Sequence, residues 1–446
     1  MFITIMSSPA VPRELGYHIQ QPDAVAAKSY RVCQSPYNNQ KFMSNDVIRF
    51  KIPTNRNAFF DAKKSYLKFV YTIPTFASGG NPGTLSASFD GYASAVIKRL
   101  QSFSGGGSVL LETMENYNLL YDLMLDYQCP AEQRASGTYS TLGSSTGDHG
   151  GVIVAPGASD QVCFGLISGV FGAQTSKLFP VGALNDGLEL HLYLDDFKNA
   201  FKTFSGGNAS TALDASGATI AANITISNVE LVCEYVELNP NAASAIAQIN
   251  GNRFVIPNEQ YRCVAVPIAL NSTGTTSLLV NHRFSSVKNL WVALQGPVSG
   301  STQLNTITAR TKATLKSYQW RVGGINVPQK PVDVSYASGA EGFAEIERAL
   351  RGMNNVLGSC SITRDQWSRT TAGDQNGAFA IATQLDVVDF STEKPARSGV
   401  STLDSPLYLD LTWSAQTGEA LTAYVFCHYD SSIIVDGATG FVMELH

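Results

Sequence analysis

The residues best able to bind a metal or move a proton near neutral pH are the histidines His18, His149, His191, His282, His428 and His446. They are scattered, and none forms an H-x-x-x-H or similar ligand spacing. His191 and His428 lie between apolar neighbours and read as polar positions of strands. Asp195-Asp196 imitates a carboxylate pair, but glycosidase carboxylates must face each other across a cleft, and a doublet closing an apolar run reads as a solvated strand end. Ser104-Gly-Gly-Gly-Ser108 lacks the Gly-Lys-Ser/Thr of a phosphate loop and the context of a nucleophile elbow, so it reads as a turn. Lys63-Lys64 is too short for a nucleic-acid patch and reads as a solvated hairpin. The seven cysteines (Cys33, Cys129, Cys163, Cys233, Cys263, Cys360 and Cys427) form no C-x-x-C pair. This argues against a zinc site and against a disulfide framework, and reduced, buried thiols are expected. No catalytic residue, metal site or cofactor is therefore expected.

The 446 residues exceed what one hydrophobic core usually serves, so two domains are expected. The net charge of −5 disfavours bulk attraction to nucleic acid. Only 15% of residues are charged, while glycine and proline number 38 and 18, a pattern of short strands and many turns. Few charges also point to a surface covered by partner subunits. The N-terminus has no basic region followed by an apolar stretch of signal-peptide length, and no run of about 18 apolar residues occurs, so neither a secretory signal nor a membrane-spanning helix is expected.

Alternation dominates the chain. Leu188, Leu190, Leu192 and Leu194 occupy every second position, which in a strand places four leucines on one face. Ile48, Phe50 and Ile52 follow the same rule, as do Leu67, Phe69, Tyr71 and Ile73, and Leu407, Leu409, Leu411 and Trp413. Between them lie long Gly/Ser/Thr-rich stretches, 78–92, 134–150, 203–221 and 296–310, which read as surface loops. Loops 134–150 and 203–221 are expected on an outer surface. Helical spacing predicts helices over 114–127, capped by Thr113, over 340–353, with a capping box at Ser338–Glu341, and over 241–249, a linker between halves.

A repeat sets the architecture. A glycine turn at Gly105, a helix, Phe164, Gly182 and the Leu188 strand recur as Gly323, a helix, Phe379, Gly399 and the Leu407 strand. The successive glycine-to-phenylalanine, phenylalanine-to-glycine and glycine-to-leucine gaps are 59, 18 and 6 residues in the first half and 56, 20 and 8 in the second. The expected fold is all-β: two tandem jelly-roll sandwiches with a few inserted short helices, residues 46–239 and 254–446, joined by a linker at 240–253. Residues 1–45 precede the first alternating strand and carry a net charge of +2, so they are expected to form an arm outside both sandwiches.

Three segments resemble the double jelly-roll major capsid proteins of tailless icosahedral double-stranded DNA viruses, most closely those of polinton-like viruses, adintoviruses and virophages. FFDAKKSYLKF (59–69) is similar to that group's early FLD…SYLxF strand, and YQWRVGGINVPQKP (318–331) with the 340–353 helix to its YQxRIG…YPxxPI…EAYxEL segment. SGV (398–400) and YVFCHYDSSIIVDG (424–437) are similar to its closing strands. The chain is shorter than is usual in the group, and the 340–353 helix has no tyrosine. The resemblance, over about residues 45–446, implies a structural subunit: homotrimers form pseudo-hexameric capsomers, and capsomers tile an icosahedral shell. It implies contacts with neighbouring capsomers and with penton and minor capsid proteins. The arm would reach a neighbour, an internal membrane or the genome, with no small-molecule substrate involved. Synthesis inside a host cell and residence in the virion follow.

Two other classes share the alternation. A carbohydrate-binding or carbohydrate-active β-sandwich calls for a signal peptide and aromatics clustered in a groove, whereas Trp291, Trp320, Trp367 and Trp413 are spread along the second half. An outer-membrane barrel calls for export and evenly spaced strands of about ten residues.

Overall fold

The computed structural model describes residues 27–55, 57–75, 85–128, 154–172, 177–205, 223–296, 307–336, 339–350, 362, 367–368, 377–385, 387–389 and 396–445. The alternating segments form strands that recur in one order. In the first half these are β1 (Ala27–Gln34), β2 (Val47–Ile52), β3 (Ala58–Thr72), β4 (Ile97–Ser104), β5 (Val109–Glu115), β6 (Ser159–Phe164), β7 (Leu188–Leu194) and β8 (Thr225–Leu238). In the second they are β9 (Arg253–Ile268), β10 (Thr275–Val280), β11 (Val287–Gln295), β12 (Leu315–Val322), β13 (Ile325–Asp333), β14 (Ile381–Gln384), β15 (Leu407–Trp413) and β16 (Leu421–Asp436), with β17 (Phe441–Leu445) folded back on β16.

Pairing makes the duplication explicit. The first half has sheets β1-β8-β3-β6 and β2-β7-β4-β5, and the second has β9-β16-β11-β14 and β10-β15-β12-β13. Each strand of the first half thus has a counterpart eight places later in the same sheet position, which defines two jelly rolls in tandem. Helix α1 (Tyr117–Gln128) follows β5, α2 (Phe197–Ala200) follows β7, α3 (Pro240–Ile249) joins the halves, and α4 (Ala340–Ala349) follows β13, the counterpart of β5. The glycine turns marking the repeat close the β4–β5 and β12–β13 hairpins, with positive φ at Gly105, Gly106, Gly107, Gly323 and Gly324, a conformation that a side chain would disfavour.

Period-two burial explains the strands. Leu188, Leu190, Leu192 and Leu194 are buried, as are Ile48, Phe50 and Ile52, and Leu67, Phe69 and Tyr71. Adjacent registers bring these rows together: Ile48 lies opposite Leu192, Phe50 opposite Leu190 and Ile52 opposite Leu188. The stripe is therefore a two-strand-wide apolar surface facing the other sheet, which is what makes a sandwich core cohere.

The connections sort to two ends. In the first jelly roll, Leu85–Phe89 pairs with Phe201–Ser205, and Ala87 bridges Val154, so the β3–β4, β5–β6 and β7–β8 connections gather at one end. In the second, Ala309–Arg310 pairs with Gly377–Ala378 in the corresponding connections. The opposite end carries the glycine turns, helix α3, the start of β1 and the β16–β17 hairpin. Loop 134–150 and most of 203–221 lie outside the described residues.

Several expectations are corrected. Residues 27–45 are not a free arm: β1 pairs with β8 along its whole length, from Ala27 opposite Leu238 to Gln34 opposite Leu231. Lys41–Phe42 also pairs with β8, and Phe42 is buried in the core. The signal was weak because β1 is an edge strand with few covered side chains, held by its backbone ladder and by Tyr30 stacked on Tyr235 at 5.7 Å. Helix α1 begins at Tyr117 because Met114 is a core residue of β5 and Asn116, at φ 51°, turns the chain between them. Thr113 is thus a strand residue and caps no helix. Of the capping box, Ser338 lies outside the described residues, and Glu341 accepts instead from the Asp333 backbone N–H at 3.0 Å. Lys63 and Lys64 form no hairpin; they lie on β3 at a register shift against β8, where Lys64 pairs with Asp61 at 3.5 Å. Cys33 is exposed and Cys163 half-buried, while Cys233, Cys263 and Cys427 are buried free thiols. Cys129 and Cys360 lie outside the described residues.

Candidate functional site: the joint between the jelly rolls and the exposed base

The two sandwiches meet through polar groups withdrawn from water. On α1, Asp122 and Asp126 face Arg310, which the β11–β12 connection carries over from the second jelly roll. Arg310 is fully buried, with Asp122 at 3.3 Å and Asp126 in direct contact. Burial works against the guanidinium charge, but Asp126 and Asp122 outweigh it and hold its pKa above the ordinary arginine value. Tyr92 donates to the second Asp126 oxygen at 3.2 Å. Beside this cluster Asp90 accepts from the Ile307 backbone N–H at 2.7 Å and the Thr308 hydroxyl at 2.6 Å, and pairs with buried Lys202 at 3.1 Å. Tyr127, also on α1, donates to the Ala378 carbonyl at 2.7 Å and packs against Trp291. An apolar contact could slide, whereas charges that lose their partners in a dry interior cost several kcal/mol, so this cluster fixes the angle between the halves.

A second polar seam lies nearer the glycine-turn end. Glu112 on β5 accepts from the Ser168 hydroxyl at 2.5 Å and the Gly169 N–H at 2.9 Å, while Asn258 on β9 donates to the Gly169 carbonyl at 3.3 Å. Gln260 donates to the Leu111 carbonyl at 3.2 Å, and Asn185 to the Thr439 carbonyl. Desolvation pushes the Glu112 carboxyl up to about 7 despite its two donors, with Glu444 adding repulsion.

The residues singled out in the sequence do not converge on one site. Asp195 is buried rather than solvated, bonded by Asn118 at 2.8 Å, and Asp196 caps α2 by accepting from the Lys198 N–H at 3.1 Å. His191 lies beside Glu189 at 3.2 Å and the Phe103 ring. His428 lies between Asn289 and Glu259, both at 2.9 Å, and stacks on Tyr261. This contact, with Lys288 at 2.5 Å, holds the Glu259 carboxyl far below the usual range. His282 is buried and its pKa is pushed down to about 4 by that burial. Among the described residues no three His, Cys, Asp or Glu side chains come together as metal ligands, and no helix is long and apolar enough to cross a membrane. All four tryptophans are buried, so none forms a sugar-stacking platform. The sequence reading missed Arg310 and its aspartates. The only hint was Asp122 and Asp126 inside an otherwise apolar helical pattern.

The base, where β1 begins, exposes apolar side chains. Helix α3 buries none of its residues. Beneath it run two shallow grooves of about 280 and 330 Å³, the larger lined by Leu178, Leu238, Ile246, Phe254 and Val255. Val255, Ile434 and Met443 share one face of the β9-β16-β17 sheet through direct register, flanked by Phe441 and Leu445, which are 56% and 48% exposed.

Two eight-stranded jelly rolls in one chain, with sheets in the same order and corner helices after the same strand, define the double jelly-roll fold. Solved structures share it. The PBCV-1 virus capsid, in a quasi-atomic model, aligns over 96% of this chain and 99% of its own with a TM-score of 0.61 at 13% identity. The Faustovirus major capsid protein aligns over 93% and 91% with a TM-score of 0.52 at 12% identity. A cryo-EM structure of the Sputnik virophage aligns over 100% and 94%, with a TM-score of 0.52 at 10% identity. No protein-family model and no curated protein matches the chain in sequence.

Proposed function

We propose that this chain is the major capsid protein of an icosahedral double-stranded DNA virus, a structural subunit and not an enzyme. Three copies form a pseudo-hexameric capsomer, each contributing two of six jelly rolls, and capsomers tile the shell of the virion. The observation that carries this reading is the duplicated jelly roll locked by a buried ionic joint. Two similar sandwiches held at one angle are what a six-lobed trimer requires, and a carbohydrate-binding sandwich has no need of the second. The low charge of the chain fits a subunit whose flanks are covered by copies of itself. We assign residues 27–239 to the first jelly roll, 240–253 to the linker and 254–446 to the second. Neighbouring capsomers, pentons and minor capsid proteins are the further partners. A genome-binding arm loses its support, because Lys28, Arg31 and Lys41 belong to paired strands and residues 1–26 hold one arginine against one aspartate and one glutamate.

Sedimentation of the purified protein tests the assembly. Obligate interfaces bury upward of about 2,000 Å², so the expected species has three times the 47.8 kDa chain mass and persists on dilution. A folded monomer stable at micromolar concentration contradicts the proposal.

A further inference from the structure

We propose that Lys312 is a covalent modification site, whose side-chain amine takes an acyl group from a small activated donor of the thioester or anhydride class. The inference stands independently of capsid assembly. Three lysines are buried among the described residues, and two of them have carboxylate partners. Lys202 pairs with Asp90 at 3.1 Å, and Lys288 pairs with Glu259 and Asp430 at 2.5 and 2.6 Å. Lys312 is only 6% exposed, yet among the described residues no carboxylate comes within ion-pair distance of it and its amine makes no hydrogen bond. What it meets is the face of the Trp367 indole, with Nζ 5.5 Å from the ring centroid.

Both sides of this contact are held in place. Lys312 sits in the turn between Ala309–Arg310 and β12, where the Ala313 N–H donates to the Thr311 hydroxyl oxygen at 2.9 Å and the Leu315 N–H to the Lys312 carbonyl at 3.2 Å. The indole donates from Nε1 to the Ala380 carbonyl at 3.3 Å and packs between Phe343 and Phe379. Gly339 and Gly342, at the start of α4, press so close to it that a Cβ at either position would collide with the ring. A ring face compensates an ammonium less than a carboxylate does. Desolvation accordingly lowers the Lys312 pKa, while Asp333, which ends β13 and also faces Lys316, works against that shift. The uncharged amine is the nucleophile, so Lys312 holds more of the reactive form at neutral pH than a solvated lysine does. In the reaction the Nζ lone pair attacks the acyl carbon and the bond from that carbon to its thiolate or carboxylate leaving group breaks. The proton shed by the nitrogen passes to the leaving group. The product is a neutral amide over the indole, which removes a charge that burial disfavours.

Trace labelling of the purified full-length protein with acetic anhydride, in its native oligomeric state, reads each lysine separately by peptide mass spectrometry. At pH 7 Lys312 should label about fivefold or more faster than Lys316, an exposed lysine four residues along β12. Its rate should level off at a lower pH than the rates of exposed lysines. Asp333→Asn keeps an acceptor for the Ser335 N–H and removes the carboxylate that favours the ammonium, so it should speed labelling of Lys312 at pH 7. The proposal is overturned if Lys312 labels no faster than Lys316 at pH 7, or if its rate climbs with pH in step with the exposed lysines. It is also overturned if Asp333→Asn slows the reaction. A chain that fails to trimerise yet labels selectively at Lys312 would separate this inference from the assembly proposal.

Discussion

Glu112 shows what a single buried side chain does at the joint. Its folded-state pKa, near 7, stands above its ordinary value of about 4.5, so the folded protein binds the extra proton more readily than the unfolded chain does. Its contribution to stability is therefore fully present below about pH 4.5 and is lost as pH rises through 7, a swing of up to about 3 kcal/mol. Glu112→Gln keeps an acceptor for the Gly169 N–H and a donor for the Ser168 oxygen, and it should flatten the pH dependence of the unfolding temperature between pH 5 and 8. An unchanged slope would show that Glu112 is solvated. Arg310 makes the converse case: Arg310→Met leaves Asp122 and Asp126 without their cation and should cost about 3–5 kcal/mol. Adding Asp122→Asn and Asp126→Asn should recover most of that loss, as read by denaturant titration. Neither site was legible in the sequence, because Glu112 lies in a short stretch without a motif between the glycine turn at 104–108 and the helix predicted from 114, and Arg310 closes a Gly/Ser/Thr-rich stretch read as a loop. Burial by the other half of the molecule is a tertiary fact with no local signature.

At the scale of elements, strands with one face in the core declared themselves by period two, and the leucine strand is the clearest. Leu192 is fully buried, so Leu192→Asp loses about 1.5–3 kcal/mol of burial and adds a buried charge, and should abolish soluble protein. Glu189, on the other face, is covered as well, with the Tyr37 hydroxyl donating to it at 3.4 Å and His191 beside it. Glu189→Gln should remain soluble with a modestly lowered unfolding temperature. Strand β1 was read as an arm because only Tyr30 and Val32 bring apolar side chains to its covered face and both are only partly buried; its hydrogen bonds to β8 are invisible in residue types. The consequence is a clean contrast. Deleting residues 2–26 should leave a folded protein, whereas deleting 2–40 removes β1 and opens the edge of β8 over eight paired positions, so that variant should aggregate on expression. Equal solubility of the two truncations would show that β1 is dispensable to the sheet.

For the whole molecule, the duplication was legible because glycine turns, corner helices and leucine strands recur at matching spacing, and the strand pairing turns that pattern into two sandwiches with identical sheet order. What spacing could not convey is the angle between them, which rests on Arg310 and its aspartates and on the seam around Glu112. A rigid pair of sandwiches is the unit from which a six-lobed ring of three chains can be made. Electron microscopy of the purified protein, class-averaged down the symmetry axis, tests this most directly. The account predicts a trimer of near-hexagonal outline with six lobes of similar size. Averages showing isolated two-lobed particles, or rings of any other copy number, would contradict it.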